Sequence, residues 1–204
     1  MGPERSLIIA CGALARELKQ VLEANGWRYA TIQCLPPELH NRPEKIPAAV
    51  AERIRLGRAD FDRIFVAYAD CGTGGLLDAV LEAEGVERLP GAHCYQFFAG
   101  TAAFDAIADA EPGTFYLTDF LARHFERLVW QALGLDRHPE LLPLYFGNYR
   151  RLVYLSQGDN TALMAKAEEA AKRLGLAYQQ IHTGLGPFAA ALNGNGGVRI
   201  SWAS

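Results

Sequence analysis

Three of the chain's four cysteines fall where an apolar, strand-like run gives way to glycine or a turn. Cys11 closes SLIIAC and precedes Gly12. Cys71 closes IFVAYADC and precedes Gly72-Thr73-Gly74-Gly75. Cys94 stands between His93 and Tyr95, after Pro90-Gly91. In a chain that alternates strands with helices, such positions are the carboxyl ends of parallel strands, where open α/β sheets bind ligands. Thiolate and imidazole together select soft or borderline metals, zinc first. The expected metal ligands are Cys11, Cys71, His93 and Cys94. Zinc is favoured, and an iron–sulfur cluster is the alternative, because thiolates are its usual ligands. No two cysteines have CxxC spacing, so the fold must assemble any shared site.

The segment YADCGTGG adds a second chemistry. Gly72, Thr73, Gly74 and Gly75 are the expected cofactor-binding stretch, since glycines let backbone N–H groups approach an anion or a cluster. The plainer reading is a tight strand–helix turn around a buried cysteine. The loop HNRP is expected to fold over the site and supply His40, as a cofactor-binding residue or as the imidazole ligand in place of His93, or Arg42 as an anion clamp; a solvated loop is the rival reading. Asp70 and Asp119 are the candidate catalytic carboxylates. Asp119 would orient a ligand histidine or simply favour a helix N-terminus. Cys34, between Ile32 and Leu35, reads as a structural thiol. Its replacement by serine is expected to cost about 1–3 kcal/mol through burial of a hydroxyl. No GxSxG, HExxH or kinase motif is present.

The elements that would position these residues follow from periodicity. Strands are expected at Leu7–Ala10, Trp27–Leu35, Arg63–Ala69, HCYQFF (or an extended turn), Thr114–Leu117, Leu152–Leu155, Ala177–Ile181 and, at the edge, Val198–Trp202. Helical patterns run over Ala13–Ala24, up to Gly57, and over Leu76–Glu84, Ala99–Ala110, Asp119–Leu133, Thr161–Leu174 and Gly184–Asn193. This alternation predicts a Rossmann-like α/β fold with a mainly parallel sheet and helices on both faces. The 204 residues suit one α/β domain over 1–204, or two joined halves with a hinge near 134–150. A formal charge of −3 gives no footprint for nucleic acid or an anionic membrane. No run reaches the roughly 18 apolar residues of a membrane span, and the N-terminus has no signal-peptide pattern. A cytoplasmic protein acting on a small-molecule substrate or cofactor is the expectation.

Taken in order, IACGALARE, LHNRP, YADCGTGG, PGAHCYQFFAG, EPGTFYLTDFLARHF, LGLDRHPEL and YFGNYRRLVYLSQ resemble the bacterial and archaeal family called domain of unknown function 1638. The resemblance runs from about Leu7 to Gly186. It implies that Cys71, His93, Cys94 and Cys11 are hallmarks. Many relatives carry glutamate where this chain has Gln96. The genomic company of some members is similar to corrinoid-linked methyl-transfer systems, which implies thiol or methyl-group chemistry and a corrinoid protein as partner. Two functions are expected, beside the plain reading of a structural protein with buried thiols. One is a metal-dependent transferase. The other is a metallochaperone or corrinoid-binding accessory protein without turnover.

Overall fold

SLIIAC becomes β1 (Ser6–Cys11), buried from Leu7 onward. A strand apolar on both faces must be covered on both, as in the middle of a parallel sheet. β1 pairs in parallel with β2 (Ala30–Leu35) on one side and β3 (Arg63–Ala67) on the other. The short β4 (Glu87–Arg88) joins β3, giving the order β2-β1-β3-β4. Helix α1 (Ala15–Ala24) links β1 to β2, and α2 (Ile46–Gly57) links β2 to β3. The chain thus steps from β1 to β2 and then returns across β1 to β3. With right-handed crossovers, that reversal puts α1 and α2 on opposite faces. It also leaves the ligand crevice of such folds at the carboxyl ends of β1 and β3. Helix α3 (Leu76–Glu84) follows β3 and ends at Gly85, which takes the left-handed conformation.

The computed structural model describes residues 5–193. Within them the chain divides into two units, 5–94 with 188–193, and Tyr95–Pro187. The second unit holds α4 (Tyr95–Ala99), α5 (Thr101–Ala110), β5 (Thr114–Thr118), α6 (Asp119–Arg123), α7 (Leu142–Phe146), β6 (Arg151–Ser156), α8 (Thr161–Leu174) and β7 (Ala177–His182). Its sheet is parallel with order β5-β6-β7. Leu117, Phe125, Phe146, Leu152, Tyr154 and Leu163 form its core. The last helix, α9, spans Gly186–Leu192. The class is α/β with two parallel-only sheets. No helix among the described residues is long and apolar enough to cross a membrane.

Several elements differ from expectation. HCYQFF is a turn followed by α4, with Phe97 and Phe98 buried; an apolar run this short carries no periodicity to separate strand from helix. β2 starts at Ala30, because Trp27 and Arg28 still close the turn, with their amides donating to the carbonyls of Leu22 and Gly26. The helix expected over Asp119–Leu133 breaks at His124 and resumes as a wide π turn over Glu126–Gln131. The segment 134–150 lies inside the second unit and holds α7. The strand expected at Val198–Trp202 lies outside the described residues.

Candidate functional site

The four groups that meet come from the ends of β1, β2 and β3 and from the segment after β4. Cys11 ends β1 and caps the 3-10 turn Gly12–Leu14, its sulfur accepting from the Ala13 amide at 3.4 Å. After β2, the 3-10 turn Pro37–Asn41 carries His40. The turn packs closely on the end of β1. A Cβ at Gly12 would lie 3.1 Å from the Leu35 carbonyl oxygen and 3.1 Å from Pro37 Cδ. His40 Nδ1 stands 3.6 Å from the Cys11 sulfur, and the ring also hydrogen-bonds the Cys71 side chain. Parallel stacking against Tyr68, centroids 6.4 Å apart, fixes the ring plane.

Cys71 occupies the turn between β3 and α3 at φ +50, the one non-glycine residue with positive φ among those described. That conformation costs an L-residue about 1–2 kcal/mol. It is held by the Asp70 and Cys71 amides, which donate to the Gly91 and Ala92 carbonyls at 3.1 and 2.9 Å. The same two bonds draw the segment before Cys94 alongside, and the Cys94 and Cys71 side chains lie close enough to interact. Arg88 braces that segment. Its guanidinium grips the Asp78 carboxylate of α3 at 2.6 and 2.9 Å and donates to the Leu89 and Gly91 carbonyls.

The glycine-rich turn does not present its donors to a ligand. The amides of Gly72, Gly74 and Gly75 donate to the Asp70 carboxylate at 3.2, 3.2 and 2.9 Å, and the Thr73 hydroxyl donates at 2.7 Å. The Thr73 and Leu76 amides are taken by the carbonyls of Asp70 and Thr73. The Leu77 amide reaches Thr73 Oγ1 at 3.4 Å. Every backbone donor from 70 to 77 is therefore accounted for. The Thr73 hydroxyl, followed by the three glycine amides, holds the Asp70 carboxyl below the usual carboxylate range. Asp70 is the clamp of the turn, and Gly72, Gly74 and Gly75 supply the positive φ values that the clamp needs.

Charge in the cluster is distributed unevenly. The Cys94 hydrogen bond, aided by the charge and hydrogen bond of His40, lowers Cys71 to about 5 against the cost of burial. Burial opposes a charged His40, yet the Cys11 and Cys71 sulfurs raise it to about 10. Cys94 moves far up, first because it donates to Cys71 and then because it is desolvated. At neutral pH the arrangement is a Cys71 thiolate, a His40 imidazolium and a protonated Cys94. Burial, together with the Cys11 and Cys71 sulfurs, also pushes the Tyr68 hydroxyl well above the ordinary tyrosine range. Tyr68 is 1 % exposed, and its hydroxyl faces Cys11 without a hydrogen bond of ordinary geometry. It is a buried polar group of the cluster that the motifs do not single out. Its signal was a polar aromatic ending the apolar run IFVAY.

The other expected residues are placed as follows. The imidazole that meets Cys11 and Cys71 belongs to His40; His93, next to Cys94, is exposed. Asp119 lies in the second unit, 7 % exposed, where its Oδ1 accepts from the Tyr154 hydroxyl at 2.6 Å and the Gln157 amide at 3.1 Å. Gln96 donates to Asp105 at 3.1 Å. Cys34 is exposed, not buried, because β2 is the edge strand of its sheet. The penalty expected for a buried hydroxyl there does not apply. Among the described residues, no three His, Cys, Asp or Glu side chains are set, as they stand, to hold a metal ion.

A comparison with curated proteins finds no match. A family profile matches residues 34–192, a stretch that holds His40, Cys71, His93 and Cys94 and begins after Cys11. That stretch is most of the chain, and the chain belongs to the family described as "Protein of unknown function (DUF1638)".

Proposed function

We propose that the first unit carries a thiolate centre for group transfer on sulfur, with Cys71 as the nucleophile. The observation that supports it most is the sharing of one imidazole, His40, between the sulfurs of Cys11 and Cys71. An adjacent imidazolium keeps a cysteine in its nucleophilic form. The Cys71 sulfur attacks the electrophilic carbon or sulfur of a small donor, and a new bond to Cys71 forms. The leaving group departs with the bonding electrons and takes a proton from His40. An acceptor thiolate then displaces Cys71 by the reverse substitution. Tyr68 offers its hydroxyl as a hydrogen-bond donor to the bound molecule.

A second reading is a zinc site. Two ligands of one tetrahedral zinc ion, at Zn–S of about 2.3 Å and Zn–N of about 2.0 Å, lie about 3.5 Å apart. Cys11 and His40 are 3.6 Å apart. Cys71 and Cys94 would have to move to complete the set. Zinc would then act by holding a substrate thiolate, and a protein that binds zinc without turnover would be the accessory form of this reading.

The test is site-resolved alkylation of the reduced protein by iodoacetamide between pH 5 and 9, in wild type and His40→Gln, with zinc analysis of the same preparations. The expected result is Cys71 modified first at pH 6 and slowed by at least about tenfold in His40→Gln. Stoichiometric zinc that protects Cys11, Cys71 and Cys94 from alkylation would favour the second reading. Cys71 no faster than Cys34, with no zinc bound, would overturn both.

A further inference from the structure

Cys94 has no part in the transfer step as written, yet its side chain, like that of His40, lies against the nucleophile. Three observations define its position. The Cys94 side chain lies beside that of Cys71 and interacts with it. The backbones are tied together by the paired amide–carbonyl bonds from Asp70 and Cys71 to Gly91 and Ala92. Arg88 anchors the approach to Cys94 by binding the carbonyls of Leu89 and Gly91 while it grips α3 through Asp78. The segments that carry Cys71 and Cys94 are therefore tied together within one unit, and both thiols are free.

We infer that Cys71 and Cys94 form a dithiol pair that exchanges with low-molecular-weight disulfides, with Cys71 attacking and Cys94 resolving. The inference rests on the reading of Cys71 as a nucleophile and names its substrate class. In the first step the Cys71 thiolate attacks one sulfur of R–S–S–R. The Cys71–SR bond forms, the substrate S–S bond breaks, and RS⁻ leaves. In the second step the Cys94 sulfur attacks Cys71, its proton passes to solvent or to a departing thiolate, and the second RS⁻ leaves. The protein gives up two electrons as the Cys71–Cys94 disulfide forms, and the substrate gains them as two thiols.

Size sets the substrate class. Cys71 is only 9 % exposed, although Gly72, Gly74 and Gly75 around it are at the surface. A slim disulfide can reach that sulfur end-on, whereas a folded protein's disulfide would need the turn to open. The turn is closed by the Asp70 clamp.

The experiment treats the reduced full chain with glutathione disulfide, quenches with a thiol-blocking reagent, and maps each cysteine by mass spectrometry. Wild type is expected to pass through a Cys71–glutathione adduct and end as the Cys71–Cys94 disulfide. Cys94→Ser is expected to stop at the adduct. The wild-type map stands even if that variant fails to fold. A stable glutathione adduct on Cys71 of the wild type, with Cys94 still free, would overturn the resolving role while leaving Cys71 a nucleophile. A disulfide between another pair would overturn the assignment. Modification at Cys34 alone, with Cys71 untouched, would overturn both the exchange and the nucleophile.

Discussion

His40 Nδ1 lies 3.6 Å from the Cys11 sulfur while the same ring also serves Cys71, so one imidazole couples the ends of two strands on either side of the fold's reversal point. The coupling has a pH signature. Cys71 falls from an ordinary 9.0 to about 5, so its contribution to stability is complete above pH 9 and lost as the pH falls through 5. His40 rises from 6.5 to about 10, so its contribution is complete below pH 6.5 and lost as the pH rises through 10. Between about pH 6.5 and 9 the two slopes oppose one another. Thermal melts of the reduced protein should show a plateau there, with stability falling toward pH 5 and toward pH 10. If His40→Gln gives the same profile as wild type, the ion pair does not exist.

Position 71 should prefer glycine over alanine. At φ +50 an alanine keeps the left-handed strain that glycine escapes. Both variants lose the same sulfur contacts, so their difference isolates the backbone. Urea unfolding is expected to find Cys71→Gly more stable than Cys71→Ala by about 1 kcal/mol. An alanine variant equal to or better than glycine would show that the turn relaxes and holds no strain at this residue.

Asp70 is expected to matter through the turn. Asp70→Ala leaves the amides of Gly72, Gly74 and Gly75 and the Thr73 hydroxyl to solvent. The loss should be about 1–2 kcal/mol, as for removal of a helix cap. Asp70→Asn, which keeps one acceptor oxygen, should lose less. Amide exchange of Gly72, Gly74 and Gly75 reports it directly. Protection unchanged in Asp70→Ala would mean that the turn stands without the clamp.

The strand ends are legible in sequence because their signals are local. SLIIAC could only be a buried strand, and α3 and α8 stop where Gly85 and Gly175 take positive φ. The places of Cys11 and Cys71 at or just after the ends of β1 and β3 followed from the same alternation, whereas Cys94 stands in the turn before α4 rather than at a strand end. What sequence could not show was set by topology. Cys34 is exposed because β2 lies at the sheet edge, an order that no local pattern encodes. Between His93 and His40, both open as the imidazole partner, the choice falls to His40 because the 37–41 turn folds onto the end of β1. A glycine-rich turn that cradles an anion and one that wraps its own aspartate also look alike as strings of residues.

Asp119 tests a structural role in the second unit. Tyr154→Phe removes the hydroxyl that donates to Asp119 Oδ1 at 2.6 Å and leaves a buried carboxylate short of a partner. A destabilisation of about 1–3 kcal/mol is expected, with no change in Cys71 alkylation. A variant that melts like wild type but alkylates more slowly would tie Asp119 to the sulfur chemistry instead.

Gly12 carries no functional group, yet the chemistry depends on its smallness. The turn bearing His40 rests on the bare backbone there, where a methyl group would press on Leu35 and Pro37 and make them give by a few tenths of an ångström. The clearance between imidazole and sulfur is thus a thickness, set by one hydrogen atom at the next residue in sequence. Every side chain larger than glycine's would act as a spacer under the histidine. The electronic state of Cys71 would then follow from a dimension of the backbone at the end of the neighbouring strand.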